Sequence, residues 1–264
     1  MYNTTMSIQA ILSDVHGNLE ALIAVYEHIK GLDLSGPVDD ILCLGDLVGY
    51  GPNPVECMYL ANEMDMKTIT GNHELGLFKS IDGFNPVAKR AALWTRSEIK
   101  RRMNEPVVDA FLRNLTDEIR TERVVYIHGS LRGSTREYLV KRDDLFELKP
   151  EVRESLKINF ELIDEVGFTG HTHIPYICND DFYLVHPEWS DYEPYEIFWN
   201  TKTLVNVGSV GQPRDGDPRA SYVIFSGNTI THYRVEYNIQ ATAEKIHNIP
   251  EIDNRLANRL KYGR

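Results

Sequence analysis

Five short motifs, each directly after an apolar, β-rich segment, constrain this chain more than any other feature. They are Asp14-Val15-His16-Gly17-Asn18, Gly45-Asp46, Gly71-Asn72-His73-Glu74, His128-Gly129-Ser130 and Gly170-His171-Thr172-His173. The segments before them read as strands over 8–13, 40–44, 67–70, 124–127 and 166–169, with further strands over 203–207, 221–225 and 229–235. Several are continuous apolar runs, the pattern of strands covered on both faces. Amphipathic segments alternate with them. Leu19, Leu22, Ile23, Tyr26 and Ile29 form one helical stripe, which Gly31 stops. Asn53-Pro54 and Asn85-Pro86 each open a helix by setting a capping side chain before a proline at the first helical position, and the second of these turns Ala91, Trp94 and Ile99 inward. Residues 107–115 and 144–161 read as further helical or mixed material. The alternation predicts a layered α/β fold. Ligands of open α/β sheets bind beyond the carboxyl ends of the strands, so five motifs distant in sequence are expected at one rim.

That rim would gather two aspartates, one asparagine and five of the nine histidines, all oxygen or imidazole-nitrogen donors. Such donors suit Mn, Fe, Zn, Ni or Co, and imidazole argues against a pure Mg or Ca site. The Asp14-x-His16 and His171-x-His173 spacings put two donors on one face if the backbone is extended. Glycines at 17, 45, 71, 129 and 170 let the chain turn sharply beside them. Two metals need more ligands than one, and seven of these groups suffice if one carboxylate bridges. Asp46 is assigned as the bridge because it stands alone at its strand end. A single Asp-x-His is usually a turn, but this many costly polar groups in one place need a common partner to satisfy them. His28, His186, His232 and His247 lack such settings and read as structural or surface residues.

With 42% apolar and 25% charged residues among 264, and no linker or repeat, the chain is expected to form one domain over 1–264. No apolar run approaches the ~18 to 20 residues that cross a bilayer. Residues 1–7 lack the basic and apolar stretches of a secretion signal, so a cytoplasmic protein without membrane contact is expected. Cys43, Cys57 and Cys178 have no CxxC spacing and read as buried free thiols. A net charge of −11 argues against a nucleic-acid polymer as partner. Two divalent ions would add about +4 within one cleft and draw a small phosphate there. The sequence is compatible with a homo-oligomer. Residues 180–200 are rich in aromatics without a clean period, and an insert, a lid and a dimer contact all stay open for them.

In this order the motifs resemble those of the calcineurin-like metallophosphoesterase family, particularly its small bacterial and archaeal phosphodiesterase branch, and they span Asp14 to about Arg219. The resemblance implies a four-layer α/β/β/α sandwich with a dinuclear metal site at the C-terminal edge of the strands. It implies that Asp14, His16, Asp46 and His173 hold one metal and Asp46, Asn72, His128 and His171 the other, manganese being favoured. His73 is left as the catalytic acid, oriented by Glu74. The implied function is hydrolysis of a small phosphodiester or phosphomonoester, nucleotides included, by a metal-bridging hydroxide. One alternative is a non-catalytic binding scaffold on the same fold, which would lack one or more of these groups. Another is a protein phosphatase or dinucleoside polyphosphate hydrolase. Family members of those kinds typically carry an arginine shortly after the bridging aspartate, where this chain has Leu47-Val48-Gly49-Tyr50-Gly51. Phosphate recognition then falls to the glycine-rich stretch 208–219, with Arg214 as the substrate-binding candidate. The competing reading of that stretch is a hairpin whose arginines pair with Asp215 and Asp217.

Overall fold

The computed structural model describes residues 7–133, 135–190 and 192–264, so of the opening segment read for a secretion signal only Ser7 is included. In chain order the elements are β1 (Ile8–Leu12), α1 (Leu19–Gly31), β2 (Asp40–Cys43), α2 (Pro54–Glu63), β3 (Lys67–Thr68), α3 (Asn72–Phe78), α4 (Pro86–Arg102), α5 (Glu105–Asn114), β4 (Glu118–Arg120), β5 (Val124–Ile127), α6 (Pro150–Leu162), β6 (Val166–Thr169), β7 (Tyr176–Asn179), β8 (Leu184–Val185), β9 (Tyr195–Glu196), β10 (Thr203–Asn206), β11 (Ala220–Ser226), β12 (Thr229–Val235), α7 (Ile239–His247) and α8 (Arg255–Leu260). Two six-stranded sheets result, ordered β3-β2-β1-β11-β12-β9 and β4-β5-β6-β10-β7-β8. The motif-bearing strands run parallel to their neighbours: β1 with β2, β2 with β3, and β5 with β6. Parallel strands point their carboxyl ends the same way, which is how each sheet assembles its share of the rim.

Alternation along the strands builds the layers. On β1, Ala10 and Leu12 pack with Ala21, Leu22, Val25 and Ile29 of α1, while Ile11 faces the other sheet. On β5, Val124 and Tyr126 face the first sheet, while Val125 joins Leu156 and Phe160 of α6. The β10 residues Val205 and Leu204 divide in the same way. Three apolar cores therefore separate helix, sheet, sheet and helix layers, the α/β/β/α arrangement expected. Continuous apolar strands are required because both faces of each sheet are covered.

The helices correct some details. Ile23, placed on the inward stripe of α1, is 45% exposed, because Ala21 and Val25 share the buried face with Leu22 and Ile29 instead. Asn85 caps α4 through Oδ1, accepting from Val87 N and Ala88 N at 3.0 Å. Asn53 does not cap α2; its Oδ1 accepts from Lys245 Nζ at 3.0 Å. The aromatic segment 180–200 is β-rich: β8 adds an edge strand beside β7 and β9 adds one beside β12, so this stretch passes from one sheet to the other. Cys43, Cys57 and Cys178 are buried free thiols. Among the described residues no helix is long and apolar enough to cross a membrane.

The inter-sheet core predicts a measurable cost. Phe168 is fully buried there, with ring centroids 5.4 Å from Tyr126 and 5.2 Å from Phe225. Phe168→Ala should destabilise the chain by about 3–5 kcal/mol in urea unfolding. A loss below about 1 kcal/mol would mean that the two sheets do not pack as described.

Candidate metal centre

Each motif sits where a strand ends. Asp14 and His16 follow β1, Asp46 follows β2, Asn72 opens α3 after β3, His128 directly follows β5, and His171 and His173 follow β6. These seven residues, together with His73, are only 0–8% exposed. The Asp14/His16 and His171/His173 pairs do not share a face by extended backbone. Asp14 (φ 53°), His16 (φ 52°), His171 (φ 63°) and His173 (φ 62°) are all left-handed, as is Asp46 (φ 54°). Non-glycine residues there cost of order 1 kcal/mol or more each, and such strain persists only where surrounding structure over-determines it. The main chain does so here: Asp14 N donates to Gly45 O at 3.0 Å, His16 N to Asp46 O at 2.8 Å, and Gly211 N to Asp14 O at 2.9 Å.

The side chains converge as a result. His173 Nε2 lies 3.1 Å from His16 Nε2 and 3.2 Å from Asp14 Oδ1. Asp46 Oδ2 lies 3.8 Å from His16 Nε2 and 3.4 Å from His128 Nε2, and Asn72 Oδ1 is 3.1 Å from that same His128 nitrogen. Donor atoms of Asp14, His16 and His173 form one group with metal-ligating spacing, and those of Asp46, His128 and His171 another. His73 groups with His16 and Asp46 between them.

The donor set fits cations. Nδ1 of His16, His128 and His173 faces the carbonyl oxygens of Val48 (3.3 Å), Leu44 (2.6 Å) and Gln212 (2.6 Å). A carbonyl keeps the proton on Nδ1 and leaves the Nε2 lone pair aimed into the cluster. Asp14 Oδ1 and His171 Nε2 are buried without a hydrogen-bond partner, a costly state that a shared cation would relieve. Burial alone would raise the Asp14 carboxyl, yet the His173 and His128 imidazoles hold it well below the usual carboxylate range. Burial opposes charge on His128, but the Asp46 and Asp14 carboxylates outweigh it and lift this imidazole to about 9. Burial and the neighbouring His128 lower His171 to about 3. The cluster thus attracts positive charge next to its carboxylates and keeps its outlying imidazole neutral, as a ligand must be.

Glu74 does not orient His73. Its two oxygens accept from the main-chain N–H groups of Asp46 (2.8 Å), Gly71 (2.9 Å) and Val48 (3.3 Å), bracing the turn that carries Asp46. Burial and Asp46 raise the Glu74 carboxyl to about 7, while these N–H groups favour the carboxylate. His73 Nδ1 is buried without a partner, and burial lowers this imidazole to about 4 against the pull of Asp46.

The stretch 208–219 is not a hairpin, since it crosses from β10 in one sheet to β11 in the other. Its aspartates do pair with arginines: Asp217 with Arg219, and Asp215 with Arg234 of β12. Arg214 pairs with neither. Its Nη2 donates to Gln212 Oε1 at 2.9 Å and its Nη1 to the Tyr138 hydroxyl at 3.3 Å, while its buried Nε has no partner.

Two aromatic rings that the sequence does not mark as part of the site lie against its imidazoles. The Tyr50 ring lies 4.7 Å from His16 and 4.4 Å from His73, and the Tyr138 ring 4.4 Å from His171. Tyr50 was adjacent to the Asp46 motif, but Tyr138 had no local signal. Of the four histidines set aside, His28 bonds the Tyr222 hydroxyl at 2.8 Å and His232 the Asn206 carbonyl at 2.9 Å.

A Cβ added at Gly71 would overlap Asp46 Oδ1 and the Asp46 main-chain nitrogen. Gly71→Ala should therefore displace Asp46 and lower retained metal per chain by half or more on the order of a lost ligand, as read by metal analysis after dialysis. Full retention would remove Asp46 from the coordination proposed below.

Comparison with known proteins agrees with this fold. Residues 6–229 match the model of the calcineurin-like phosphoesterase superfamily domain. An uncharacterized protein of Methanocaldococcus jannaschii is 36% identical over 98% of this chain and 99% of its own length. The crystal structure of a metallophosphoesterase from Sphaerobacter thermophilus is 33% identical and superposes with a TM-score of 0.79 over 98% of this chain and 100% of that one. A hypothetical protein from Pyrococcus horikoshii, 17% identical, shares the fold with a TM-score of 0.74 over 98% of this chain and 99% of its own. The chain belongs to the calcineurin-like phosphoesterase superfamily.

Proposed function

We propose that this protein hydrolyses small phosphoesters using two divalent transition-metal ions. Asp14, His16, Asp46 and His173 would hold one, and Asp46, Asn72, His128 and His171 the other, with Asp46 shared. Manganese fits this mixed oxygen and imidazole set, as do Fe, Zn, Ni and Co. The observation that carries the reading is the convergence of His16, His128 and His173 Nε2, each aimed inward by a carbonyl on Nδ1, around the two buried carboxylates. When bound, such ions polarise phosphoryl oxygens and make water acidic enough to attack near neutral pH.

The remaining roles fall to the chain's own residues. Arg214, free of any carboxylate pairing among the described residues, binds the phosphoryl oxygens of the substrate. His73 donates a proton to the leaving oxygen. Its Nδ1 is buried against Gly49, which leaves Nε2 to carry that proton. Burial disfavours the imidazolium, and a bound phosphoryl anion works in the opposite direction. Tyr50 and Tyr138 flank the imidazoles and limit water around them.

Protein loaded with Mn²⁺ should hydrolyse p-nitrophenyl phosphate or its diester, and a chelator should stop turnover until metal is returned. Absence of turnover with every divalent metal would refute the reading. His73→Ala should keep its metal and lose about 100- to 10,000-fold in rate. The loss should be larger for phenyl phosphate, whose leaving oxygen needs the proton more. Loss of metal in this variant would instead make His73 a ligand, in line with its place beside His16 and Asp46.

A further inference from the structure

The aromatic segment 180–200 covers the side of the sandwich where β8 and β9 end the two sheets, the opposite side to β3 and β4. Beneath it lies a cavity of about 200 Å³, lined by Tyr183, Tyr192, Glu193 and Tyr195 of the segment and by Ile177 of β7 and His232 of β12, with prolyl and aliphatic side chains between them. None of the proposed metal ligands lines it. Bonds within the segment fix its walls. Ser190 Oγ and Tyr192 N both donate to the Pro187 carbonyl at 3.0 Å, and Glu193 N donates to the Ser190 carbonyl at 3.0 Å. The Tyr192 hydroxyl accepts from Arg219 Nη2 at 3.2 Å and donates to Asp217 Oδ2 at 3.4 Å. Tyr195 is held on β9, opposite Ile230 of β12. A cavity built in this way needs little reorganisation to take a ligand.

The chemistry of the lining selects a charge. An aromatic ring carries negative partial charge on its face, so several rings around one space attract an organic cation. Glu193 adds the one formal charge among the lining residues, and it pairs with no cation among the described residues. No Lys or Arg lines the cavity. The neighbouring arginines are matched elsewhere, Arg219 with Asp217 and Arg234 with Asp215. Arg219, outside the cavity, lies 5.6 Å from the Tyr192 ring centre, an instance of the same attraction. His232 Nε2 faces the Asn206 carbonyl at 2.9 Å, and burial lowers this imidazole to about 4, so it brings no competing charge near neutral pH. Size restricts the occupant further, because sites for drug-sized ligands begin at about 300 Å³. Tyr183 is 64% exposed, so one wall of the cavity stands at the solvent.

We propose that Tyr183, Tyr192, Tyr195 and Glu193 form a second binding site, separate from the metal centre, for a small organic cation of the quaternary ammonium or protonated amine class. The apolar body of such an ion displaces water from the rings, and its diffuse charge is drawn to the ring faces and to Glu193. An inorganic cation does not suit the cavity, because one carboxylate offers too few ligands to replace a hydration shell. A neutral molecule of the same shape would forgo the electrostatic attraction.

The test is calorimetric titration of the full chain, at constant ionic strength, with choline and with 3,3-dimethylbutan-1-ol, its uncharged isostere. Choline should bind saturably with a dissociation constant on the order of 1 mM, and the isostere at least about tenfold more weakly. Tyr195→Leu and Glu193→Gln should each weaken choline by about threefold or more. Tyr183→Leu, at an exposed position, should do the same and carries the test if Tyr195→Leu does not fold. Glu196→Gln, beside Tyr195 but outside the cavity, removes one negative charge and should change the affinity by less than about twofold. Choline binding should also survive removal of metal by a chelator. Its loss there would put the cation at the metal centre and overturn the site. Absence of saturable binding, equal binding of the isostere, or unchanged affinity in the Tyr and Glu193 variants would overturn it as well.

Discussion

Everything at the rim depends on keeping two carboxylates and five imidazoles nearly out of water within a few ångströms of one another. Burying such groups is expensive unless each is hydrogen-bonded or shares a counter-charge. The chain meets that cost with its main chain. Carbonyls of Val48, Leu44 and Gln212 take the Nδ1 side of three imidazoles. The N–H groups of His171 and His73 donate to Asp14 Oδ2 (2.8 Å) and Asp46 Oδ1 (2.7 Å). Each of these bonds joins segments far apart in sequence, so the site is a product of the assembled sandwich.

The same bonds explain why five candidate ligands adopt left-handed backbone. A turn of that hand immediately after a strand swings the side chain back over the sheet edge. In an extended continuation successive side chains would alternate between the two faces of the sheet. Rigid neighbours hold these turns. Ser209 Oγ donates to the Asp14 carbonyl at 2.8 Å and Val210 N to the Ser13 carbonyl at 3.0 Å, so the loop between the sheets also clamps the first motif. At the far end of that loop Asp215 is buried against Arg234 and lies 3.3 Å from His186 Nε2, which fixes the segment bearing Arg214.

Under the function proposed above, the placement of cations bears on which phosphoester the cleft would take. The turn after Asp46 carries Tyr50 rather than arginine, and its ring packs on His16 and His73. Positive charge would come instead from Arg214, on the loop that crosses between the sheets.

The sequence by itself determined the positions of most strands along the chain, the two-sided burial of the sheets, and the membership of the polar cluster. Those properties are written in short-range patterns: apolar runs, glycines, and Asp, Asn and His at strand ends. It misjudged Ile23 and Asn53, where the packing of a helix decided which side of a stripe faced inward and which partner a side chain met. Two- and three-residue strands such as β4, β8 and β9 carry too few residues to show a period. Only the tertiary structure decided the left-handed turns, the role of Glu74 as a backbone brace, and the rings of Tyr50 and Tyr138. Each of those is a contact between segments remote in sequence, and local pattern holds no record of what the rest of the chain will bring to meet it.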